Sequence, residues 1–208
     1  DETQIHVDNT YRQQEMYFST SNVYEILSKW SVSMSYDFKW NKLNANMVDF
    51  AFPHRYSNFV SLATALTLSR IQAQASLVEQ VVKDHVKYGA SSSSRSTLTP
   101  AFFVNVYPFE SKLLAVRAFA KKSFRMPTFN DLYYADMGNS KLNPESALQY
   151  DLGFVLNKDW KQGIVDHLRL QVDGYYNTVY DKIVAYPKGQ QFRWTMLNLG
   201  KVHIKGVD

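Results

Sequence analysis

Large apolar side chains recur at every second position between residues 26 and 40. Ile26, Trp30, Val32, Met34, Tyr36, Phe38 and Trp40 alternate with Lys29, Ser31, Ser33, Ser35, Asp37 and Lys39. A period of two puts one set on each face of an extended strand. Only Leu27 and Ser28 interrupt it, so the pattern predicts one strand of about fifteen residues, roughly 50 Å at ~3.3 Å per residue. Strands of soluble domains usually stop at about five or six residues. A longer one with an oily and a wet face suits a transmembrane β-barrel, where one face meets lipid and the other a watery lumen.

The same period predicts extended segments near 13–19, 24–40, 58–70, 72–83, 98–107, 112–122, 145–158, 164–179 and 191–205, with a further one near 3–8. Leu148, Tyr150, Leu152, Phe154 and Leu156 alternate with polar residues, as do Leu168, Leu170, Val172 and Tyr176. Residues 66–83 also carry helical spacing at Leu77, Val78, Val81 and Val82, but the alternation of Ile71, Ala73, Ala75 and Leu77 favours a strand. Tight links are expected at 108–111 and 158–163. Longer connections, richer in Gly, Pro, Ser or Asn, are expected at 41–57, 84–97, 124–143 and 185–190. Short turns on one side and long loops on the other are the asymmetry of outer-membrane barrels. The Ser-rich stretch 89–97 reads as a flexible loop tip on composition.

Composition narrows the classes without deciding among them. With 208 residues the chain can bury a core without staples, and 45% hydrophobic content is ordinary for a globular protein. No apolar run reaches the roughly eighteen residues of a spanning helix, whereas a barrel spends only alternate residues on lipid. The 14 Tyr, 13 Phe and 4 Trp suit strands and membrane interfaces. Without cysteine there is neither a disulfide framework nor a thiolate metal site. A net charge of +4, with basic residues scattered among acidic ones, makes no nucleic-acid footprint. Residues 1–4 carry no basic and apolar leader pattern, so no signal peptide is expected within the chain.

No catalytic constellation emerges. Nucleophile-elbow, phosphate-loop and zinc-protease motifs are missing, and the histidines at 6, 54, 85, 167 and 203 are not at metal-ligand spacing. No enzyme activity, metal or cofactor is therefore expected. His54, Arg55 and Tyr56 fall in the predicted connection 41–57 and are candidates to meet an anionic ligand. A soluble all-β ligand-binding domain is the alternative reading, and it would need apolar residues pointing inward.

The stretch from Ser123 through Phe124, Arg125, Met126, Pro127, Thr128, Phe129, Asn130, Asp131, Leu132, Tyr133 and Tyr134, followed by Gly138, Asn139, Leu142, Asn143, Pro144 and Glu145, resembles the barrel of TonB-dependent outer-membrane receptors. In that family a strand climbs to the cell surface, a loop with a short helical turn follows, and the next strand descends. Tyr150, Asp151, Leu152 and Gly153 look like the descending strand, with Asp151 where the family usually has Glu. Gly174, Tyr175, Tyr176 and Asn177 through Asp181, Lys182 and Ile183 are similar to the next ascending strand. Asn198, Gly200 and Gly206 match a later motif, whose usual closing Glu is replaced by Asp208. The sharp likeness covers 98–208. The earlier half agrees in strand rhythm.

Proline explains part of the pattern independently, since it removes a ladder donor and restricts its predecessor. Pro127 and Pro144 thus bracket a loop between strands. The resemblance implies an all-β fold of antiparallel up-and-down strands, a partial transmembrane β-barrel of about nine or ten strands out of twenty-two. It implies a short helical turn near 129–134. All of 1–208 is expected to belong to the barrel domain, with no plug domain in it. The function implied is uptake of a scarce nutrient (siderophore, cobalamin or glycan) across the bacterial outer membrane, with lipid, the TonB protein and a plug domain as partners in the full-length protein. Val32, Met34, Tyr36, Phe38 and Trp40 are then expected to face lipid. Lys29, Asp37, Lys39, Arg117, Lys121, Gln149, Asp151, Arg169, Gln171 and Asp173 would face the lumen. Tyr133, Tyr134, Tyr186, Phe192 and Trp194 would be the loop aromatics placed to touch a small-molecule or glycan ligand.

Overall fold

The computed structural model describes residues 8–135, 137–160, 166–188 and 193–208. The extended segment expected near 3–8 lies almost wholly outside them, as does Phe192. Among the described residues nine strands form a single antiparallel sheet in sequence order. They are β1 (Tyr11–Leu27), β2 (Trp30–Ala45), β3 (His54–Thr67), β4 (Ile71–His85), β5 (Arg95–Val106), β6 (Leu114–Arg125), β7 (Glu145–Asp159), β8 (His167–Lys188) and β9 (Arg193–Val207), with the short helix α1 (Phe129–Tyr133) between β6 and β7. The stretch 66–83 is strand apart from the turn at 68–70, because Ala73, Ala75 and Leu77 find register partners on both neighbouring strands.

One expectation needs correction. The alternating run 26–40 is not a single strand: Ser28 and Lys29 form a hairpin turn, and Leu27 pairs with Trp30 across it. A two-residue turn by itself shifts the parity, since Leu27 and Trp30 share a face, but the bulge at Ile26 shifts it back, so Tyr24 pairs with Val32 and period alone does not reveal the hairpin. β2 alone still has 16 residues and β8 has 22, well beyond the usual strand of a soluble domain.

Register sorts the side chains into two faces. Outward positions step across the sheet from Met34 to Leu62 and Leu77, and from Ala118 to Leu152 and Gly174. On this face Phe18, Met34, Leu62, Phe102, Leu152 and Leu170 are each about half exposed, which leaves a continuous apolar band. A soluble domain would bury such a surface; lipid covers it in a barrel. The opposite face carries Asp37, Lys39, Arg117, Gln149, Asp151, Gln171 and Asp173. Near the loop end the outward face carries an aromatic rim, where Trp40 packs on His54 and Tyr56 meets His85 edge-on, as barrel girdles do at a membrane surface.

The connections at 28–29, 68–70 and 107–113 fall at one end, and those at 46–53, 86–94 and 126–144 at the other. The strands extend further than expected into each of the long connections, so His54, Arg55 and Tyr56 begin β3 rather than sit in a loop. The expected link 158–163 and the connection after β8 fall partly outside the described residues. The core lies at the loop end, on the inward face, where Leu43 of β2, Phe50, Ile183 of β8 and the loop residues Phe129, Leu132, Tyr133 and Leu142 pack together.

Candidate functional site

The loop 126–144 folds inward over the mouth of the sheet. Its base is set by Arg125 and Glu145, which face each other as the last and first register pair of β6 and β7. The Arg125 guanidinium donates from Nε to Glu145 at 2.8 Å and approaches Asp131 at 3.7 Å. The other Glu145 oxygen accepts the amide of Ile183 at 2.6 Å, a donor on the stretch of β8 that runs beyond the end of its pairing with β7. Thr128 caps α1: its hydroxyl accepts from the Asp131 amide, and the Asp131 carboxylate accepts from the Thr128 amide. Such a reciprocal box satisfies donors that a five-residue helix cannot satisfy alone.

Beyond the helix the chain turns tightly. A Cβ on Gly138 would lie 2.6 Å from the Tyr134 nitrogen and 2.8 Å from the Leu132 carbonyl, so only glycine fits. Asn139 donates from Nδ2 to the Met196 carbonyl of β9, and the Met196 amide donates to Met137. At the other extreme Tyr134 stacks on Tyr11 of β1 with ring centroids 4.9 Å apart. One loop therefore touches both end strands of the sheet and spans its concave face.

Asn198 couples the two separated motifs. Its Oδ1 accepts the Asn143 amide at 2.8 Å, and its Nδ2 donates to the carbonyls of Asn143 and Asp181. Only a side-chain amide offers both functions in the spacing of a backbone peptide. Asn198→Ala should cost about 1–3 kcal/mol in loop docking by leaving these groups unpaired. Limited proteolysis of residues 126–144 should quicken in that variant, and an unchanged rate would deny the coupling.

The centre of the attachment is a buried ion pair absent from the sequence reading. Arg55 of β3 grips Asp84 of β4 with two hydrogen bonds, Nε at 2.7 Å and Nη2 at 2.8 Å. The two residues are directly opposite in register. Arg55 Nη1 donates to the Pro127 carbonyl at 2.7 Å, and the guanidinium lies over the Phe129 ring. Tyr133 donates its hydroxyl to Asp84 at 3.0 Å and accepts the Ser92 amide at 3.0 Å. Burial is the main influence raising the Tyr133 phenol pKa; the Ser92 amide works against it and the Asp84 carboxylate adds to it.

A detached loop would let this phenol ionise near its ordinary value of about 10. The raised native pKa therefore contributes fully below about pH 10, and the contribution is lost as pH rises further. Proteolytic protection of residues 126–144 should fall through that alkaline range and lose this dependence in Tyr133→Phe. Identical profiles for the two proteins would refute the linkage.

The predicted ligand residues divide accordingly. Arg55 and Tyr133 are buried, with polar atoms engaged in holding the loop. His54 and Tyr56 stand on the outward face. The serine tract is no free tip, since Ser92 is buried against Tyr133. Tyr134, Tyr186 and Trp194 remain exposed, with Tyr186 at an outward and Trp194 at an inward register position. Asn130 is exposed beside a cavity of about 320 Å³ lined also by Gln13, Lys39, Asn41, Arg55, Thr128 and Phe129.

Pro127, Leu132 and Leu142 are buried, and Pro144 leads into β7. Further along the inward wall, a Cβ on Gly153 would land on the Asp173 carboxylate where it meets Arg117. Gly206 lies beneath Tyr175, and nothing crowds Gly200 within 4 Å. Among the described residues no group of three or more His, Cys, Asp or Glu could hold a metal ion.

An apolar outer band, a polar inner wall and a mouth closed over by an anchored loop define a segment of a transmembrane receptor barrel. The chain matches the family described as TonB dependent receptor-like, beta-barrel over residues 4–208, and it belongs to that family. Two vitamin B12 transporters, both BtuB, are similar: that of Vibrio vulnificus is 29% identical over 85 residues, covering 41% of this chain and 13% of that protein. That of Photobacterium profundum is 30% identical over 102 residues, covering 46% and 15%.

Among solved structures, the copper transporter OprC superposes with a TM-score of 0.76 at 15% identity over 96% of this chain and 34% of that one. The FrpB iron transporter of Neisseria meningitidis (F3-3 variant) gives 0.70 at 13% over 96% and 33%. At such identities the likeness is one of fold. The chain thus spans about a third of these structures and a smaller share of the curated relatives. The family is one of outer-membrane transport receptors, not enzymes.

Proposed function

We propose that residues 1–208 are one part of the barrel domain of an outer-membrane active transporter. The whole protein would bind a scarce nutrient at its surface and import it with energy delivered by TonB, past a plug domain seated against the inward polar wall. The observation that best supports this is the loop 126–144, anchored on the inward face by Arg55, Asp84 and Asn198. Such an anchored loop narrows the mouth and presents Asn130 and Tyr134 towards solvent on a rigid support.

Cobalamin is the favoured ligand, because two relatives carry that transport activity in their names; ferric siderophores and glycans come next. The contacts would come from Asn130, Tyr134 and Trp194, with Lys39 and Asn41 below them. The test is uptake of labelled cobalamin by cells whose only such receptor is the full-length protein, with and without TonB. Uptake that needs TonB and falls severalfold in Tyr134→Ala supports the reading. Uptake indifferent to TonB overturns the mechanism, and uptake of a ferric siderophore in place of cobalamin overturns the ligand assignment.

A further inference from the structure

Charge is sorted by face on the last four strands. The outward positions of β6 to β9 carry Lys158 at the turn end and, towards the loop end, Lys122, Lys182, Lys201 and Lys205, with no Asp or Glu among them. The carboxylates of the same strands, Glu145, Asp151, Asp159, Asp173 and Asp181, occupy the alternate, inward positions. None of these lysines has an ion-pair partner within 4 Å among the described residues.

Their level follows from register. Between Lys158, at the turn-end margin, and the middle of the strands the outward positions are apolar: Phe154 opposite Val172, and Leu156 opposite Leu170. Towards the loop end, the face changes to Tyr176 opposite Lys205, Thr178 opposite His203 and Tyr180 opposite Lys201, with Lys182 one step beyond. Lys201 Nζ lies 5.2 Å from the centre of the Tyr180 ring, and His203 Nδ1 is within 2.8 Å of the Tyr176 hydroxyl.

Lysine on a lipid-facing position is costly at the bilayer midplane and nearly free at its surface. The change from aliphatic to Tyr, Thr, His and Lys therefore marks where hydrocarbon ends. Lys182 and Lys201 are diagonal neighbours on adjacent strands, a spacing of about 7–8 Å that a phosphate group can bridge.

We propose that the outward face of β8 and β9 binds the phosphate groups of anionic lipid headgroups in the leaflet at the loop end, through Lys182, Lys201 and Lys205. Charge complementarity carries the assignment: the patch is cationic, contains no carboxylate and adjoins an apolar band that seats acyl chains. It rests on the membrane placement of the chain and is independent of which nutrient is carried.

The test is lipid retention by the full-length receptor in neutral detergent, read by native mass spectrometry with phosphatidic acid and phosphatidylcholine of equal chain length. The unmodified receptor should prefer phosphatidic acid, with a preference that weakens as salt is raised. Lys201→Gln/Lys205→Gln should lower the preference roughly tenfold, Lys201→Arg/Lys205→Arg should keep it, and Lys87→Gln on a loop should leave it unchanged.

Equal preference in Lys201→Gln/Lys205→Gln and the unmodified receptor overturns the proposal. So does displacement of the lipid by inorganic phosphate, which would make free phosphate the ligand. Should the glutamine variant fail to fold, the salt series on the unmodified receptor decides: a salt-independent preference refutes the site. Nutrient uptake does not enter these readouts, so failure here is distinct from failure of the transport reading.

Discussion

Asp84→Ala should release the loop 126–144 from the barrel wall. Asp84 is nearly inaccessible, with its side chain 1% exposed, and it neutralises a guanidinium that is itself buried. Removing one member of a buried pair strands the other, at a cost of about 3–5 kcal/mol. The loss should concentrate in the loop, because Asp84 also receives the Tyr133 hydroxyl, and Arg55 holds the Pro127 carbonyl. Amide exchange on the full-length receptor should show residues 126–144 deprotected while the centre of β3 and β4 stays protected. The apolar double variant Arg55→Met/Asp84→Leu should recover much of the loss, since it leaves no buried charge without a partner. Wild-type protection in Asp84→Ala would show that the ion pair does not anchor the loop.

The second large effect concerns the two faces. Leu152 lies mid-strand in β7 on the outward face and is half exposed; Gln149 is three residues away on the inward face. Leu152→Arg should lower folding stability in lipid vesicles by about 2–4 kcal/mol, the cost of arginine near the bilayer midplane. Gln149→Arg should cost much less, because its position is already polar. Denaturant titration of the full-length receptor in vesicles measures both. Equal penalties, or a larger one at Gln149, would invert the assignment of faces on which the membrane reading stands.

The face assignment was legible before any coordinates because alternation is a local property of the chain. Met34, Phe38, Leu152 and Leu170 take their side from the parity of their positions, and parity does not depend on partners. The hairpin at Ser28 and Lys29 was hidden because the bulge at Ile26 cancels the one-step shift of a two-residue turn, so Tyr24 and Val32 share both parity and face. The helical turn could also be anticipated, as Thr128 and Asp131 sit at the spacing of a capping box.

The anchoring of the mouth was not legible. Arg55 and Asp84 are 29 positions apart, Tyr133 is 49 from Asp84, and Asn198 is 55 from Asn143. In the sequence Arg55 looked like a free loop cation and Ser92 like part of a flexible tip. Each became a structural residue once strand register and loop path brought its partner within 3 Å. One signal was available: Asp84 ends a run of alternating residues, and in an antiparallel hairpin the end of the second strand lies opposite the start of the first, where Arg55 stands.

The sequence by itself determined the strand character, the two-faced register, the placement of short turns and long loops, and the family motifs. These depend on backbone periodicity and on the short-range chemistry of proline, glycine and capping residues. Only the tertiary structure decided which of the loop residues anchor and which remain exposed, because a buried charge or amide is tolerated only where a partner meets it. Those partners come from strands whose neighbours are set by the curvature of the whole sheet.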